Sequence, residues 1–264
     1  MKTIQDQIQR IIQLEHTPQR IVSLVPSQTE LLCDLGLENR IVGITKFCVH
    51  PIHLKQSKVI VGGTKQVDFN KIKALNPDII LCNKEENAIN MIPELEAIAP
   101  VHISDIYTLE DSLDLILSYG MLFSCAAKAK KIRDNIIFNL KDFQNYIMNK
   151  PILRVAYFIW RNPWMVAANN TFINHLLTLN KFENIYVNLQ RYPEVDLATL
   201  AQCPELDLVL LSSEPFPFKT AHAVEIDRIT PNSKTVFVDG EYFSWYGSRL
   251  LNAFQYFKSL RNRL

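Results

Sequence analysis

The sequence predicts an α/β protein of two lobes, each with a parallel sheet flanked by helices, joined by one long helix. Short apolar, β-branched runs alternate with helical patterns, which is typical of a parallel sheet covered on both faces. One helical pattern then continues over about seven turns, with an unbroken apolar stripe from Ile132 to Ile147. We predict lobes at residues 1–123 and 151–264 and the connecting helix at 124–150.

The first lobe begins with polar and apolar residues interleaved over 1–15, which predicts a short amphipathic helix and not a secretory signal. Ser27 and Glu30 form a capping-box pattern that predicts the start of a helix. Strands are predicted at 20–25, 41–44, 77–82 and 101–103.

The connecting helix is predicted to end before Pro151, because a residue that precedes proline disfavours helix. The second lobe has predicted strands at 154–159, 206–211 and 235–238, and a closing helix at 247–260. VDFNKIKALNPDIIL at 67–81 resembles VDLATLAQCPELDLVLL at 195–211, which indicates an internal repeat. In each copy the aspartate, Asp68 or Asp196, is predicted to cap a short helix.

Composition excludes several function classes. The net charge of +1 gives no field that would recruit nucleic acid, and no stretch is long and apolar enough to span a membrane. No nucleophile elbow, zinc-protease or phosphate-loop motif occurs, so we expect no enzyme activity. An odd count of five cysteines indicates free thiols and the cytoplasm as the sequence stands, or the periplasm if a leader was trimmed.

Several segments resemble one known family: 20–45, VGG at 61–63, IKALNPDIIL at 72–81 and DGEYFSWYGSRLLNA at 239–253. From Pro18 onward the chain resembles the helical-backbone (class III) periplasmic binding proteins, which serve ABC importers of cobalamin, siderophores and haem. The resemblance implies two α/β lobes, a rigid connecting helix, no intrinsic cofactor, and a cobalamin, haem or iron-chelate ligand held between the lobes.

The sequence departs from that family at positions that matter for ligand and partner. Phe47 and Tyr192 replace the tyrosine and tryptophan expected of cobalamin binders, and Thr64 and Asn83 stand where tryptophans occur. The family docks on its permease through one glutamate per lobe. The corresponding residues here are Asn70 and Ala198, neither of them acidic.

In the first lobe, two loops that follow predicted strands supply candidate ligands. KFCVHPIH at 46–53 contains Cys48, His50 and His53, which predict either a transition-metal site or a polar loop with one buried thiol. His50 is alternatively an axial ligand of a bound chelate. NKEEN at 83–87 places Glu85 where a ligand would be met, although acidic residues also suit a helix N-terminus.

In the second lobe, three aromatic loops predict either ligand stacking or local packing. They are WRNPW at 160–164, SSEPFPFK at 212–219 and DGEYFSWYGSR at 239–249. Arginines in the first and last of them suit anionic ligand groups. The predicted ligand-binding residues are Phe47, His50, Asn83, Glu85, Trp160, Arg161, Trp164, Phe216, Phe218, Glu241, Trp245, Tyr246 and Arg249.

These observations leave two functions open. The first is a solute-binding protein of an ABC importer for a cobalamin-like or metal-chelate ligand. The alternative is a cytoplasmic corrinoid, haem or metal handler that no longer docks on a permease, favoured by Asn70, Ala198 and the odd cysteine count. The identity of the ligand does not follow from either.

Overall fold

The computed structural model describes residues 2–264, which divide into two compact units. Unit 1 contains residues 2–106, 110–137 and 245–251, and unit 2 contains 107–109, 138–244 and 252–264. The division therefore falls inside the predicted connecting helix, after Ile137. The segment 245–251, which we placed in the C-terminal lobe with its neighbours, belongs to unit 1.

Unit 1 begins with an antiparallel hairpin, so the prediction of an amphipathic helix here is wrong; Met1 lies outside the described residues. Its strands are β1 (Lys2–Gln5) and β2 (Ile11–Leu14). Gln9 adopts a left-handed φ of 67°, and the buried Asp6 carboxylate closes the turn by accepting from the backbone and guanidinium of Arg10. Burial alternates along β2, where Ile12 and Leu14 are buried and Ile11 is exposed, as expected of a strand with one covered face.

The sheet of unit 1 is parallel, with its strands in the order β5-β4-β3-β6-β7. The strands are β3 (Ile21–Ser23), β4 (Ile41–Ile44), β5 (Val59–Ile60), β6 (Ile79–Asn83) and β7 (Val101–Ser104). Every residue of β6 is buried, as expected of a strand covered on both faces. Strands β3, β4, β6 and β7 lie close to their predicted positions, and the parallel arrangement is confirmed.

The helices that cover this sheet begin where local capping allows. They are α1 (Pro26–Asp34), α2 (Leu54–Ser57), α3 (Phe69–Ala74), α4 (Ile92–Glu96) and α5 (Leu109–Leu122). Asp68 caps α3 by accepting from the Lys71 N–H, as predicted. Ser27 does not cap α1, because the helix already begins at Pro26, whose missing N–H suits the first helical position.

Helix α6 (Ala126–Ile147) is continuous for 22 residues. It begins just after Ser124, which has a left-handed φ of 58°, and it ends before Pro151. Its buried residues Ile132, Ile136, Phe143 and Ile147 recur at helical spacing, which is the apolar stripe that predicted the helix.

Unit 2 repeats the same architecture. Parallel strands run in the order β10-β8-β11-β12, and β9 pairs antiparallel with β8. The strands are β8 (Leu153–Trp160), β9 (Met165–Val166), β10 (Phe182–Asn184), β11 (Leu208–Ser212) and β12 (Lys234–Val238). The helices are α7 (Phe172–Leu179), α8 (Thr220–Asp227), α9 (Glu241–Ser244) and α10 (Leu250–Arg263).

The internal repeat keeps its capping chemistry in unit 2. Asp196 accepts from the Ala198 N–H and begins a 3-10 turn, Leu197–Gln202, that precedes β11 as α3 precedes β6. Among residues 2–264, no helix combines the length and the apolar character needed to cross a bilayer.

The imidazole of His102 on β7 is an unusual element of the core of unit 1. It is fully buried with its ring 5.4 Å from that of Tyr119, and within residues 2–264 neither ring nitrogen has a hydrogen-bond partner. Its pKa is lowered to about 4, chiefly by burial and to a smaller extent by Arg10, against an opposing effect of Asp6. The folded protein therefore holds His102 neutral.

We predict that this histidine makes the protein sensitive to acid. Between the ordinary histidine pKa and the lowered one, the unfolded chain binds more protons, so stability is complete above about pH 6.5 and is lost as pH falls towards 4. The loss should approach about 3 kcal/mol at pH 4. Urea unfolding at several pH values should show a shallower pH dependence for His102→Leu.

The exposed His16 supplies the matched control. His16→Gln should keep the pH dependence of the unmodified protein. An unchanged slope in His102→Leu would contradict the role assigned to the buried imidazole.

Candidate functional site

The loop that follows β4 carries an open aromatic ring. Phe47 is 49% exposed, and the Lys46 ammonium lies 5.0 Å from its ring centroid. Gly63 packs against the same ring, since a Cβ there would lie 3.2 Å from it. Because parallel strands end at one edge of the sheet, this loop and the loop after β6 lie at the same edge of unit 1.

The C-terminal segment 245–251 places an indole among charged and polar groups of unit 1. The Trp245 ring lies edge-on to His50 at 5.4 Å, and the Arg249 guanidinium lies 4.9 Å from its centroid. Arg249 in turn forms a bidentate ion pair with Glu30, at 3.0 Å from Nε and 2.9 Å from the terminal nitrogen. His50, Trp245 and Arg249 are therefore brought together.

Trp245 nevertheless differs from the open ring that the sequence suggested. It is only 6% exposed, because His50 covers one side and Arg249 another. Arg249 likewise has 11% of its side chain exposed, and its guanidinium is already neutralised by Glu30. Both residues are fixed parts of the unit.

Tyr246 is a hydrogen-bonded core residue and not an exposed site residue. The Gln28 amide donates to the Tyr246 hydroxyl at 3.0 Å and to the Ser104 hydroxyl at 2.6 Å, while Tyr119 donates to the Gln28 carbonyl at 2.6 Å. Burial raises the pKa of both phenols above the ordinary tyrosine range. Sequence reasoning missed Gln28, because nothing in the pattern distinguishes it from a surface residue of α1.

Asn83 is also committed within unit 1. Its side-chain oxygen accepts from the backbone N–H groups of Glu85 and Glu86, and its amide donates to Ser104. Asn83 thus shapes the loop after β6 from a buried position, whereas Glu85 is half-buried at its start. The Lys65 ammonium donates to the Glu85 carbonyl at 2.6 Å.

The three residues predicted as a metal site do not assemble. Cys48 is buried beside the Thr29 and Thr45 hydroxyls, and burial raises the pKa of its thiol. His53 pairs with Glu38 at 2.8 Å. No group of three histidine, cysteine or acidic side chains in the described part of the chain is placed to hold a metal ion, so the polar-loop interpretation of this segment replaces the metal site.

The aromatic loops of unit 2 form one cluster at the carboxyl ends of β8 and β11. Trp160 is 39% exposed and lies edge-on to Phe216 at 5.6 Å. Trp164 lies deeper, 5.5 Å from Phe158 and stacked on Phe218 at 5.9 Å. Trp164, Phe216 and Phe218 all pack on the apolar core of the unit, so of these rings Trp160 is the most open.

Charged and polar groups complete this aromatic cluster. Arg161 lies 5.4 Å from the Trp164 centroid and pairs with Glu225 of α8 at 3.0 Å. His222, which sequence reasoning missed, lies within 5.7 Å of both Phe216 and Phe218 and accepts from the Lys219 N–H. Glu241 lies apart from this cluster, at the beginning of α9.

The five cysteines are unpaired in residues 2–264, as the odd count predicted. Burial raises the pKa of Cys33 and of Cys82 to about 12. These thiols are therefore held in the protonated form, which is neither a nucleophile nor a metal ligand.

Comparison with known proteins places this geometry in a family. Residues 21–227 match the family model described as "Periplasmic binding protein". A vitamin B12-binding protein from Pectobacterium carotovorum subsp. carotovorum is 24% identical over 243 residues, covering 90% of this chain and 86% of that protein.

Two solved structures share the fold over nearly the whole chain. The periplasmic vitamin B12 binding protein of Vibrio cholerae superposes with a TM-score of 0.79 at 18% identity, covering 94% of this chain and 99% of that one. A periplasmic heme binding protein from Pseudomonas aeruginosa gives a TM-score of 0.80 at 21% identity, covering 92% of each chain. At these identities the structural similarity shows the fold alone, so the ligand has to be inferred from the residues of the site.

The two tryptophans of the unit 2 loop should respond differently to truncation. Trp164→Ala should lower the free energy of unfolding by roughly 3 kcal/mol, because it removes a ring packed on the core. Trp160→Ala should cost less than about 1 kcal/mol, because that ring is 39% exposed and does not belong to the core. Urea unfolding of both variants measures the difference, and equal losses would contradict it.

Proposed function

Because the chain belongs to the periplasmic binding protein family, we propose that it is the substrate-binding protein of an ABC importer. Its ligand is a bulky chelate of the cobalamin, haem or ferric-siderophore kind. The single observation that carries the ligand class is the open aromatic surface at the carboxyl ends of β8 and β11, where Trp160 and Phe216 meet at 5.6 Å. Such a surface stacks on flat or bulky apolar faces.

Each unit contributes a candidate ligand surface of its own in this proposal. Unit 2 offers Trp160 with Phe216, and unit 1 offers Phe47 near the strand end and Glu85 after β6. The residues beneath them serve to hold the loops. Trp164 and Phe218 each anchor one aromatic loop of unit 2 to the core, and Tyr246 and Asn83 anchor segments of unit 1.

The proposal contains no catalytic step. Ligand binding by stacking needs no nucleophile, and the Cys48 thiol next to His50 is buried with its pKa raised. The cation that a chelate carries remains part of the ligand. Protein residues therefore need only recognise the organic shell.

A direct binding measurement tests this function. Cyanocobalamin, hemin and ferric siderophores should each be titrated into the protein, with tryptophan fluorescence and calorimetry as readouts. We expect micromolar or tighter binding of at least one chelate, at least tenfold weaker binding in Trp160→Ala, and a raised unfolding temperature by mass action. Tyr146→Ala is the control, because this ring on α6 contacts Phe143 and Asn262, which lie outside the candidate loops. Absence of binding by every chelate would refute the proposal.

Docking on the permease is the second part of the proposal. Asn70 is exposed on α3 and Ala198 is exposed in the 3-10 turn Leu197–Gln202, at equivalent positions of the repeat. The neighbouring aspartates Asp68 and Asp196 are already engaged as caps. Two charge-assisted hydrogen bonds of the kind that the family resemblance implies are therefore missing, at roughly 1.5–3 kcal/mol each.

We expect weak docking on a vitamin B12-type permease and ATPase complex in lipid nanodiscs. The double variant Asn70→Glu with Ala198→Glu should dock at least tenfold more tightly, and high salt should reverse the gain. Asn70→Gln with Ala198→Gln, which adds no charge, is the matched control. Tight docking by the unmodified protein would contradict this part, and weak docking by every form would favour a handler that works without a permease.

A further inference from the structure

The two arginines in the candidate loops are each neutralised by a carboxylate of the same unit. In unit 1, Glu30 receives a hydrogen bond from Arg249 Nε at 3.0 Å and forms an ion-pair contact with Arg249 Nη2 at 2.9 Å. In unit 2, Glu225 receives one from Arg161, at 3.0 Å. Sequence spacing hides both pairs, because the partners are 219 and 64 residues apart. Neither loop therefore offers an uncompensated guanidinium.

Both guanidiniums are also held by aromatic rings. Arg249 lies 4.9 Å from the Trp245 centroid, and Arg161 lies 5.4 Å from the Trp164 centroid. An arginine recognises a carboxylate through its planar fork. When that fork is occupied by glutamate and the plane rests on an indole, a ligand anion has to displace the glutamate first.

Displacement is least favourable at Glu30. Its side chain is 17% exposed and that of Arg249 is 11% exposed, so an anion that took Arg249 would leave a carboxylate in a poorly solvated place. Burial already raises the pKa of Glu30, and the Arg249 charge counters that rise. The Arg249–Glu30 ion pair is therefore poorly placed to bind a ligand anion.

The remaining charges near the loops of unit 1 are mixed in sign. Lys46 is an exposed ammonium held 5.0 Å from the Phe47 ring, and Lys65 donates to the Glu85 carbonyl. Glu85 and Glu86 follow directly after β6 and contribute negative charge. A chelate with two or three carboxylate or catecholate charges would meet this set without a matching pair of guanidiniums.

We infer that the ligand is a neutral or cationic bulky chelate, such as a corrinoid, and not a polyanionic one, such as a porphyrin with two carboxylates or a tris-catecholate iron complex. This inference rests on the proposed function and narrows its substrate class. Recognition then comes from apolar stacking at Trp160 and Phe216 together with shape, and the ion pairs serve to fix the loops.

Four probes of known charge separate the possibilities. Cyanocobalamin is neutral overall, aquocyanocobinamide is cationic, and hemin and ferric enterobactin are anionic; each is titrated into the unmodified protein at low and high salt. We expect the two corrinoids to bind at least tenfold more tightly than either anion. Tighter binding of hemin or ferric enterobactin would overturn the inference and leave the proposed function standing. No binding by any probe would overturn both.

Removal of the neutralising carboxylates gives the second arm of the experiment. Glu225→Gln and, separately, Glu30→Gln free one guanidinium each, so the affinity for hemin relative to that for cyanocobalamin should rise about tenfold. Asp134→Asn is the matched control, because it removes a carboxylate paired with Lys130 on α6, outside these loops.

The gain for hemin should shrink at high salt, since it depends on charge. If Glu30→Gln does not fold, Glu225→Gln carries the test, because Glu225 lies at the surface of α8. An unchanged affinity for hemin in the folded variants would overturn the inference.

Discussion

The architecture of unit 1 depends on one buried amide. The Gln28 side chain on α1 reaches Ser104 at the end of β7, Tyr119 on α5 and Tyr246 near the C-terminus. A buried amide with an unsatisfied donor or acceptor is costly, so these partners are held together as a set. The partnership with Tyr246 fixes the segment 245–251 within a unit whose other residues end at Ile137. Once Tyr246 is fixed, its neighbours Trp245 and Arg249 meet His50 and Glu30.

Unit 2 fixes its loops through apolar packing instead. Trp164 and Phe218 are stacked rings at the margin of a core that includes Phe158 and Ile226. Trp164 follows Pro163, and Phe218 follows Pro217. Because proline fixes the backbone φ, each loop has few accessible backbone conformations. Trp160 and Phe216 are then displayed by segments that are already ordered. A ligand that stacks on them pays little entropy for ordering the loop.

Sequence reasoning succeeded where periodicity and burial are coupled. β6 and β11 are uninterrupted apolar runs because both faces are covered, and α6 repeats Ile132, Ile136 and Phe143 on one face. It failed at 2–15, where isoleucines spaced by polar residues fit a helix or a strand. The Asp6 carboxylate decided the outcome by accepting from the Arg10 and Ile103 N–H groups, a contact that spans 97 residues and has no local signature.

The candidate site was also only partly predictable from the sequence, and the physical reason for this bears on function. Aromatic and arginine residues in a loop indicate either ligand contact or packing, and only tertiary contacts decide which. Here Trp164 and Trp245 are used for packing, and the arginines beside them are bound to Glu225 and Glu30. Each guanidinium contacts an indole and is also ion-paired with a glutamate. It therefore restrains the position of the indole. Under the proposed function, stacking area and not charge would then be the main means by which these loops distinguish one chelate from another.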